Sequence, residues 1–478
     1  MKFNISAEKI FNAVNKLNYV VPGSSHSTLP LLSNIYFSLE GNTLMLIATD
    51  LEAFLKTDIE VEGIENGAVA VPSRKFLELL KALIVKTESV VVKEKIDKEG
   101  YGKLVTTDLV PDLSQLGVKI DGESILYKGY IPEESFSGLE DMLKEYRDKT
   151  AEKKDDELTA LFAAFADSLR KTADAAVKTF KKATEKIKIK IESNDKNKIT
   201  ISSKNGKYQF FGEPVEDYPV PEDKEELSKL EISGTVLRKY LQKVKHSVKN
   251  DEIRRNMAGV FFDMRKTELR LVATDGFRLS KINSEEFSHS NGKDENFILP
   301  VKTVDLLVRL ITDAKLIAEY DNTIIKFSID NLYLYSKLID DTFPNYEAVI
   351  PKDNDKKIIV SRHELINSLR RASIFTDKVT NKVKFDILNG ELTIKADNPE
   401  SGGEGEETIS CEFKTTAGDT IDELFTIAFN VNYLLDCLSQ IDTDDVIITF
   451  STPSKATIAI PVGSQEDFME LIMPVRVG

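Results

Sequence analysis

The amino-acid sequence predicts an α+β fold in which one structural unit occurs three times, with a mostly helical module inserted into the first copy. The main observation is that the order helix, strands, helix, strands recurs three times at a period of about 120 residues. Length and composition agree, because 478 residues with 41% hydrophobic and 30% charged residues are typical of a globular protein of several domains. Strands pairing within and between units would form a continuous sheet on one side, with helices on the other. The predicted boundaries are 1–86 with 185–229 for the first unit, 87–184 for the insert, 230–352 for the second unit and 353–478 for the third.

An amphipathic helix begins each unit, and a serine, which is a common N-cap residue, precedes each first turn. Apolar residues then recur at helical spacing, as Leu237 and Leu241 do in the second unit. The three first helices are predicted at 5–21, 232–248 and 360–375. Paired strands follow at 34–59, 259–282 and 384–401. The second helices are predicted at 71–83, 299–311 and 429–441.

An aspartate ends a strand at an equivalent turn in each unit, at Asp50, Asp275 and Asp397. These carboxylates could bind a metal ion, or they could accept hydrogen bonds from backbone NH groups at a turn. A catalytic residue has no reason to recur in every structural copy. We therefore interpret the three aspartates as turn caps.

The insert is predicted to be a separate excursion from the first unit. Residues 102–146 mix short strand-like and helical pieces, whereas 158–187 has a helical apolar stripe. The stripe consists of Leu158, Leu161, Phe162, Phe165, Leu169, Ala173, Ala176 and Phe180. After the insert, 186–212 is predicted to form two alternating strands around a polar turn. A Gly-rich acidic segment in the third unit, 401–407, is predicted to be a solvated loop.

The sequence contains no convincing catalytic or cofactor-binding motif. Gly206-Lys207 lacks the remaining residues of a phosphate-binding loop, and no GxSxG element is present. The four histidines, His26, His246, His289 and His363, show no metal-ligand spacing, and two distant cysteines cannot form a structural zinc site. We therefore predict no enzyme activity, no cofactor and no metal. The low cysteine count and the absence of a signal peptide or membrane span predict a cytoplasmic location.

Basic residues are concentrated on the predicted helices, although the net charge of −15 argues against a protein that coats nucleic acid with its whole surface. The segment 234–249 carries four lysines and one arginine and no acidic residue. One interpretation is a solvated helix face; the recurrence in three units favours contact with phosphates instead. No base-reading motif or aromatic stacking platform accompanies them, so the contact should be independent of DNA sequence. The predicted DNA-contact residues are Arg74, Lys75, Arg238, Lys239, Lys245, Lys249, Arg255, Arg370 and Arg371.

Several motifs, in order, resemble the bacterial sliding clamp family, the beta subunit of DNA polymerase III. The resemblance covers the whole chain except the insert. The motifs are TLPLLSNIYF (28–37), ATDLE (48–52), VPSRKF (71–76), GEPVEDYP (212–219), RRNMAGVFF (254–262), LVATDGFRLS (271–280), SKLIDDTFPNYEAVIPK (336–352), FNVNYLLD (429–436) and MPVR (473–476).

The resemblance implies a head-to-tail homodimer whose six similar units form a ring around duplex DNA, with helices lining the hole and sheets outside. Across the subunit boundary, Ile374 and Phe375 are expected to meet Tyr218. The resemblance also implies a cleft between the second and third units that takes short linear motifs from the DNA polymerase III catalytic subunit, the clamp loader and repair proteins. Apolar walls with a few polar groups suit a peptide anchor. The implied cleft residues are Arg254, Met257, Thr274, Gly276, Phe277, Leu279, Pro344, Val349, Asn430, Tyr433, Leu471, Ile472, Met473, Pro474 and Arg476.

Two positions depart from the family pattern. Phe277 stands where members often have histidine, and the segment with His26 stands where a basic residue is usual. Two other functions remain open at the level of sequence: an enzyme acting on DNA with the insert as its catalytic module, and a scaffold that binds proteins but not DNA. The role and position of the insert and the preferred partners do not follow from the sequence.

Overall fold

The chain forms two compact bodies in the computed structural model. The N-terminal body comprises Met1–Ala48 and Thr57–Tyr218, and the C-terminal body comprises Thr49–Lys56 and Pro219–Gly478. The structure describes residues 1–23, 29–84, 92–95, 118–121, 124–127, 160, 163–171, 174, 187–222, 224, 227–249, 253–290, 292–312, 315–398 and 402–477. Within these ranges, no helix combines the length and apolar character that crossing a membrane requires.

Three repeats of secondary structure follow one another along the chain. The first consists of β1 (Lys2–Ser6), α1 (Ala7–Leu17), β2 (Asn34–Glu40), β3 (Thr43–Thr49), β4 (Ala53–Glu60), β5 (Glu62–Glu65), β6 (Gly67–Pro72), α2 (Ser73–Ile84), β7 (Val92–Lys95), β8 (Val118–Asp121), β9 (Ser124–Tyr127), β10 (Lys188–Ser193), β11 (Lys198–Ser203) and β12 (Gly206–Phe211). The second consists of β13 (Ser228–Ser233), α3 (Gly234–Val244), β14 (Gly259–Met264), β15 (Leu269–Thr274), β16 (Arg278–Ser284), β17 (Phe287–His289), β18 (Glu295–Pro300), α4 (Val301–Leu310), β19 (Lys315–Tyr320), β20 (Ile324–Ile329) and β21 (Leu332–Lys337). The third consists of β22 (Lys356–Ser361), α5 (Arg362–Ala372), β23 (Lys382–Leu388), β24 (Glu391–Asn398), β25 (Gly403–Ser410), β26 (Glu412–Thr415), β27 (Phe425–Asn430), α6 (Val431–Leu438), β28 (Asp445–Phe450), β29 (Thr457–Pro461) and β30 (Phe468–Ile472).

The repeats share one order of elements, which confirms the predicted succession of helices and strands. Among the described residues, each has one strand, a helix, five strands, a second helix and three closing strands. In the first repeat, β7 to β9 come between α2 and β10, where the sequence places the insert. The helices pack in pairs, α1 with α2, α3 with α4 and α5 with α6. Their apolar stripes are buried, as Ile10, Val14 and Leu17 of α1 illustrate.

Serine precedes the first helix of each repeat, as predicted, but the three serines do not cap alike. Ser361 accepts a hydrogen bond from the backbone NH of Glu364 at 3.4 Å. Ser6 and Ser233 occupy the N-cap position without a capping hydrogen bond from the side chain. The serine pattern therefore located the helix starts correctly, while the side-chain cap is formed only in the third repeat among the helices described.

The strands of each repeat divide into two groups with a recurring order. In the second repeat, the described strands run β18-β14-β15-β16 in one group and β17-β13-β19-β20-β21 in the other. The third repeat has β27-β23-β24-β25 and β26-β22-β28-β29-β30, and the first has β5-β1-β10-β11-β12 as its second group. Alternation along β1 buries Phe3 and Ile5 against the apolar residues Ile189 and Ile191 of β10.

The second and third repeats are joined by direct pairing of β16 with β30. The strands run antiparallel, with Arg278 opposite Ile472, Leu279 opposite Leu471 and Ser280 opposite Glu470. This pairing makes one continuous sheet of β18-β14-β15-β16-β30-β29-β28-β22-β26 among the described strands. The two repeats therefore belong to one body, as the predicted pairing between neighbouring units requires.

Three local predictions are wrong. Residues 186–212 form the strands β10, β11 and β12 rather than two strands. Residues 403–407 begin β25 instead of forming a loop, because β24 supplies backbone partners from Glu391 opposite Ser410 to Asn398 opposite Gly403. Asp397 consequently lies within β24 and not at a turn. The turn-cap interpretation is confirmed for Asp50 and Asp275, each of which accepts two backbone NH hydrogen bonds through Oδ1.

The described part of the insert contains three short strands and a helical segment. Strands β7, β9 and β8 pair antiparallel in that order, and residues 163–171 are helical. Phe165 and Leu169 of the predicted stripe are buried. The other stripe residues lie outside the described residues.

Candidate functional site

The junction of β16 with β30 brings together most of the residues predicted to form a peptide cleft. The loop before β16, the segment after β30 and the start of α6 meet there. The backbone NH of Met473 donates to the carbonyl of Phe277 at 2.8 Å, and that of Val475 donates to the carbonyl of Ala428 at 2.8 Å. The last residues of the chain are thus fixed against the second repeat on one side and against β27 on the other.

A tight loop, Thr274 to Arg278, presents Phe277 to solvent. Asp275 Oδ1 accepts hydrogen bonds from the backbone NH groups of Phe277 at 2.8 Å and Arg278 at 2.9 Å. The Thr274 hydroxyl donates to the carbonyl of Arg278 at 2.7 Å. Gly276 has φ +88°, a conformation that glycine adopts without strain. These bonds leave the Phe277 side chain 53% exposed on a rigid support.

Phe277 and Tyr433 form an aromatic surface, which we call the aromatic shelf. The two ring centroids are 6.2 Å apart at an interplanar angle of 22°. The guanidinium carbon of Arg278 lies 4.8 Å from the centroid of Tyr433, and Arg278 donates to Asp436 at 2.6 Å and to the carbonyl of His246 at 2.8 Å. Burial raises the pKa of the Tyr433 hydroxyl. The shelf offers an exposed apolar face held by a partly buried charge network, as a peptide anchor requires.

Asn430 and Gly276 act on the shelf indirectly. The Asn430 side chain accepts hydrogen bonds from the NH groups of Asn432 at 3.0 Å and Tyr433 at 3.4 Å, so it caps α6 and orients Tyr433. A Cβ added at Gly276 would lie 3.4 Å from Nη1 of Arg254, whose side chain is exposed beside the loop.

The predicted cleft residues fall into an exposed set and a buried set. Leu279, Leu471 and Ile472 are at most 3% exposed, so they support the cleft from beneath and do not form its surface. Leu279 and Leu471 share a core with Val272, Phe343 and other apolar residues. The remaining apolar members are accessible, since Val349 is 54% exposed and Met257, Pro344, Met473 and Pro474 are half-buried. Arg476 is exposed.

A cavity of about 340 Å³ lies on the Pro344 side of this region. Phe261, Phe343 and Tyr346 contribute apolar walls, and the rings of Phe261 and Phe343 stack at 4.6 Å. The Tyr346 hydroxyl donates to Asp263 at 2.6 Å, and burial raises the pKa of Tyr346 to about 12. The hydroxyl therefore remains protonated at neutral pH and holds the polar end of the cavity.

The predicted DNA-contact residues differ in their partners. Lys239 pairs with Glu466 at 2.5 Å, Lys245 with Asp305 at 2.8 Å, Arg74 with Glu78 at 3.2 Å, and Arg371 with Glu407 at 2.7 Å. Lys75 lies 5.8 Å from the ring centroid of Phe210, and Lys249 is half-buried beyond the end of α3. Arg238, Arg255 and Arg370 are exposed and make no ion pair with any described residue. Of the predicted DNA-contact arginines, these three have guanidinium groups that no described carboxylate pairs with.

Lys243 has a structural role that the sequence did not reveal. Its side chain is 6% exposed and its Nζ lies 2.8 Å from Glu466 and 2.7 Å from Asp442. The ammonium also lies 4.8 Å from the ring centroid of Phe468. Lys243 therefore links α3 to the third repeat and is not available for DNA.

The expected dimer residues are not equally accessible. Ile374 is 76% exposed and Phe375 40% exposed, and a Cβ at Gly405 would lie 2.8 Å from Cδ2 of Phe375. The Tyr218 ring is 5% exposed within the N-terminal body, and its contact across the subunit boundary stays a prediction. Its hydroxyl donates to the carbonyl of Asn34 at 2.9 Å. His26, at the other departure from the family pattern, lies outside the described residues.

Three side chains that could bind a metal ion lie close together in the folded chain, although they are distant in the sequence. Donor atoms of His246, Cys437 and Glu470 all lie within 4.8 Å of one another. Burial raises the pKa of the Cys437 thiol well above its ordinary value, and burial also raises the pKa of Glu470. This cluster lies behind the aromatic shelf, since the His246 carbonyl accepts from Arg278.

Models of three protein domains match most of the chain. They are described as the DNA polymerase III beta subunit N-terminal domain over residues 1–101, its central domain over 231–345 and its C-terminal domain over 347–476. The beta sliding clamp of Vibrio cholerae is 22% identical over 479 residues, covering 100% of both chains. That of Rickettsia bellii is 31% identical over 292 residues, covering 58% of this chain and 75% of the relative. The solved sliding clamp of Pseudomonas aeruginosa bound to griselimycin has a TM-score of 0.72 and 22% identity, with 100% of both chains covered.

Proposed function

The chain belongs to the DNA polymerase III beta subunit family and is a DNA sliding clamp, a processivity factor; from this premise we propose that two copies close head to tail around duplex DNA. The observation that carries the proposal is the pairing of β16 with β30. In the second repeat, β16 is the outer strand of its group, and β25 holds the same place in the third repeat. In the third repeat, β30 is the outer strand of the other group, and β12 holds the same place in the first repeat.

The outer strands β25 and β12 therefore correspond to β16 and β30, which pair with each other within the chain. We propose that β25 of one copy pairs in the same way with β12 of the other. Both are sheet edges among the described strands, with backbone groups that a second chain can pair. Because β25 and β12 are different surfaces, the interface is heterologous, and two such interfaces related by a twofold axis close a dimer. Six repeats then complete the ring that encircles DNA.

Charge and shape at the two edges fit this pairing. β25 exposes Glu404 and Glu406, whereas β12 exposes Lys207 and Phe211. Opposite charges across a pair of strands favour one orientation and one register. The acidic character of β25 also discourages pairing of two β25 edges with each other.

The turn after the first helix occupies equivalent positions in the second and third repeats, which also supports the proposed interface. In the second repeat, the turn Lys245–Ser247 brings His246 against Cys437 and Glu470 of the third repeat. The equivalent turn in the third repeat is Ser373–Phe375. Ile374 and Phe375 would accordingly contact the first repeat of the partner, near α2 and β12.

We assign DNA contact chiefly to Arg238, Arg255 and Arg370. Exposed guanidinium groups bind phosphate oxygens without reading bases, which suits a ring that slides. Lys239, Lys245 and Arg371 would have to exchange a carboxylate for a phosphate, so their contribution should be smaller.

The test of DNA encirclement is retention on a circular plasmid after loading. The complex should survive gel filtration on closed circles and be lost when the plasmid is linearised. Arg238→Glu and Arg370→Glu should shorten retention on circles, and each should lower the salt slope of log K by about 0.9 per subunit. Lys455→Glu changes the net charge equally at a cation paired with Asp353 and serves as the control. Equal retention on linear DNA would exclude encirclement, and retention on neither form would leave only a scaffold function.

We assign partner binding to the aromatic shelf and the adjoining cavity. An extended segment with an aliphatic or aromatic anchor fits half-buried walls of Met257, Pro344 and Met473 beside the Phe277 ring. The proposed partners are the polymerase III catalytic subunit, the clamp loader and repair proteins that carry short linear motifs. The griselimycin complex of the Pseudomonas aeruginosa clamp supports a ligand-binding role for this fold.

A further inference from the structure

Three side chains from separate elements converge behind the aromatic shelf. His246 lies on the turn Lys245–Ser247, Cys437 on α6 and Glu470 on β30. Their donor atoms lie within 4.8 Å of one another, and His246 Nε2 is 3.5 Å from Glu470 Oε1. The group therefore spans the second and third repeats at the point where β16 and β30 pair.

The cluster contains a buried oxygen that lacks a hydrogen-bond partner. Glu470 is 0% exposed, and its Oε2 accepts from the Ser280 hydroxyl at 2.7 Å. Its other oxygen, Oε1, is buried and makes no well-aligned hydrogen bond with a described residue, although His246 Nε2 lies 3.5 Å away. Buried carboxylate oxygens are normally satisfied, because an unpaired one is costly in an apolar interior. A cation bound beside Oε1 would supply the missing partner.

We propose that His246, Cys437 and Glu470 bind one Zn²⁺ ion. Imidazole nitrogen, thiolate sulfur and carboxylate oxygen are the donors that zinc takes in proteins, whereas magnesium and calcium prefer oxygen alone. A thiolate and a carboxylate together balance the charge of a divalent ion, so the loaded site is neutral in the interior. The Ser280 hydroxyl holds Glu470 from behind and fixes its orientation, as second-layer hydrogen bonds do at zinc sites.

The observed spacing is compatible with zinc after small movements. Bonds of about 2.0–2.3 Å place tetrahedral donors roughly 3.3–3.8 Å apart. Rotations of the three side chains that bring the donors about 1 Å closer would supply three of the four tetrahedral ligands, and a water molecule would take the fourth position. Because its ligands come from the turn Lys245–Ser247, α6 and β30, the ion would fasten the second repeat to the third behind the peptide site.

The alternative is a metal-free polar cluster, with a hydrogen bond between His246 and Glu470 and with Cys437 acting as a small core residue. The experiment that separates the two uses the full-length protein, stripped with a chelator and titrated with Co²⁺. A cobalt–thiolate bond gives a near-ultraviolet charge-transfer band. We expect that band to saturate at one Co²⁺ per chain and to disappear when Zn²⁺ is added, and we expect Zn²⁺ to raise the thermal unfolding midpoint.

The matched variants are Cys437→Ser and Cys411→Ser. Cys411 is the chain's other cysteine and lies outside the cluster, so its variant should keep the band, whereas Cys437→Ser should lose it. If Cys437→Ser is unfolded by circular dichroism, His246→Gln takes its place and should weaken Co²⁺ binding at least tenfold. Absence of the band in the unsubstituted protein, or its persistence in Cys437→Ser, would overturn the proposal.

Discussion

Replacing Ile374 and Phe375 with alanine should weaken the dimer by a magnitude that follows from their exposure. Complete burial of an isoleucine or phenylalanine contributes roughly 1.5–3 kcal/mol. Ile374 is 76% exposed in the single chain, so association can gain about 1.1–2.3 kcal/mol from it. Phe375 is 40% exposed because it already packs on Gly405, and it can gain about 0.6–1.2 kcal/mol. One interface therefore loses roughly 1.7–3.5 kcal/mol in the double variant.

A closed dimer has two such interfaces, so the total loss is about 3.5–7 kcal/mol. At 1.4 kcal/mol per factor of ten, the dissociation constant should rise roughly 300-fold to 100,000-fold. Sedimentation velocity over a concentration series measures this change, and circular dichroism checks that the fold is intact. Leu424→Ala is the control, since Leu424 is an apolar residue with 61% exposure that precedes β27, on the opposite side of its sheet from β25. A change below about tenfold, or an equal change in the control, would refute the reasoning.

Three further predictions concern the cleft, the repeat junction and the insert. Phe277→Ala should weaken binding of a peptide with an apolar anchor by about 10- to 100-fold in a titration and leave the unfolding midpoint unchanged, because the ring is 53% exposed. Burial raises the pKa of Glu466, but hydrogen bonds from Lys239 and Lys243 outweigh burial and hold this pKa below its ordinary value. The ionised Glu466 carboxylate therefore stabilises the folded state above about pH 4.3, and this stabilisation is lost as pH falls further. Glu466→Gln should therefore lower the free energy of unfolding by about 1–3 kcal/mol at pH 7 and flatten its decline between pH 5 and 3, as followed by urea titration. Replacing 87–184 with a short Gly/Ser turn should leave a dimer that is retained on circular DNA; loss of the dimer would make the insert part of the core architecture.

The sequence predicted the repeat because the signals it uses are local. A helical stripe such as Leu237 and Leu241 identifies its helix without knowledge of the partner. The strand β25 escaped the same reasoning because its Gly and Glu residues have low strand propensity. Eight pairs with β24 override that propensity, and Gly405 leaves room for the Phe375 ring.

The sequence did not show which residues of the candidate site form its surface and which lie buried beneath it. Leu279 and Phe277 are neighbours in one motif, yet one is buried beneath the cleft and the other forms its surface. The difference comes from the loop that Asp275 holds, which turns Phe277 outward. The burial of Tyr218 could not be predicted from local sequence, because its hydrogen bond to the Asn34 carbonyl spans 184 residues. The same limit applies to His246, which reaches its neighbours only through pairing of distant strands.

The position of β1 in its sheet governs when the first repeat can finish folding on the ribosome. Lys2 lies opposite Glu192, which follows it by 190 residues. The equivalent contact in the second repeat, Ser228 opposite Tyr320, spans 92 residues. Doubling a loop adds only about 0.6 kcal/mol to closure, so the finished protein tolerates the longer excursion.

The separation of β1 from β10 in sequence affects folding during synthesis more than it affects the stability of the finished protein. At about 5–20 residues per second, β10 emerges roughly 10–40 s after β1. During that interval, Phe3 and Ile5 have no β10 to cover them, and β1 can pair with β5 alone. Since contacts between distant residues also form slowly, the nascent first repeat should be the stage at which this chain depends most on chaperones. Shortening the insert should therefore advance the completion of the first repeat during synthesis.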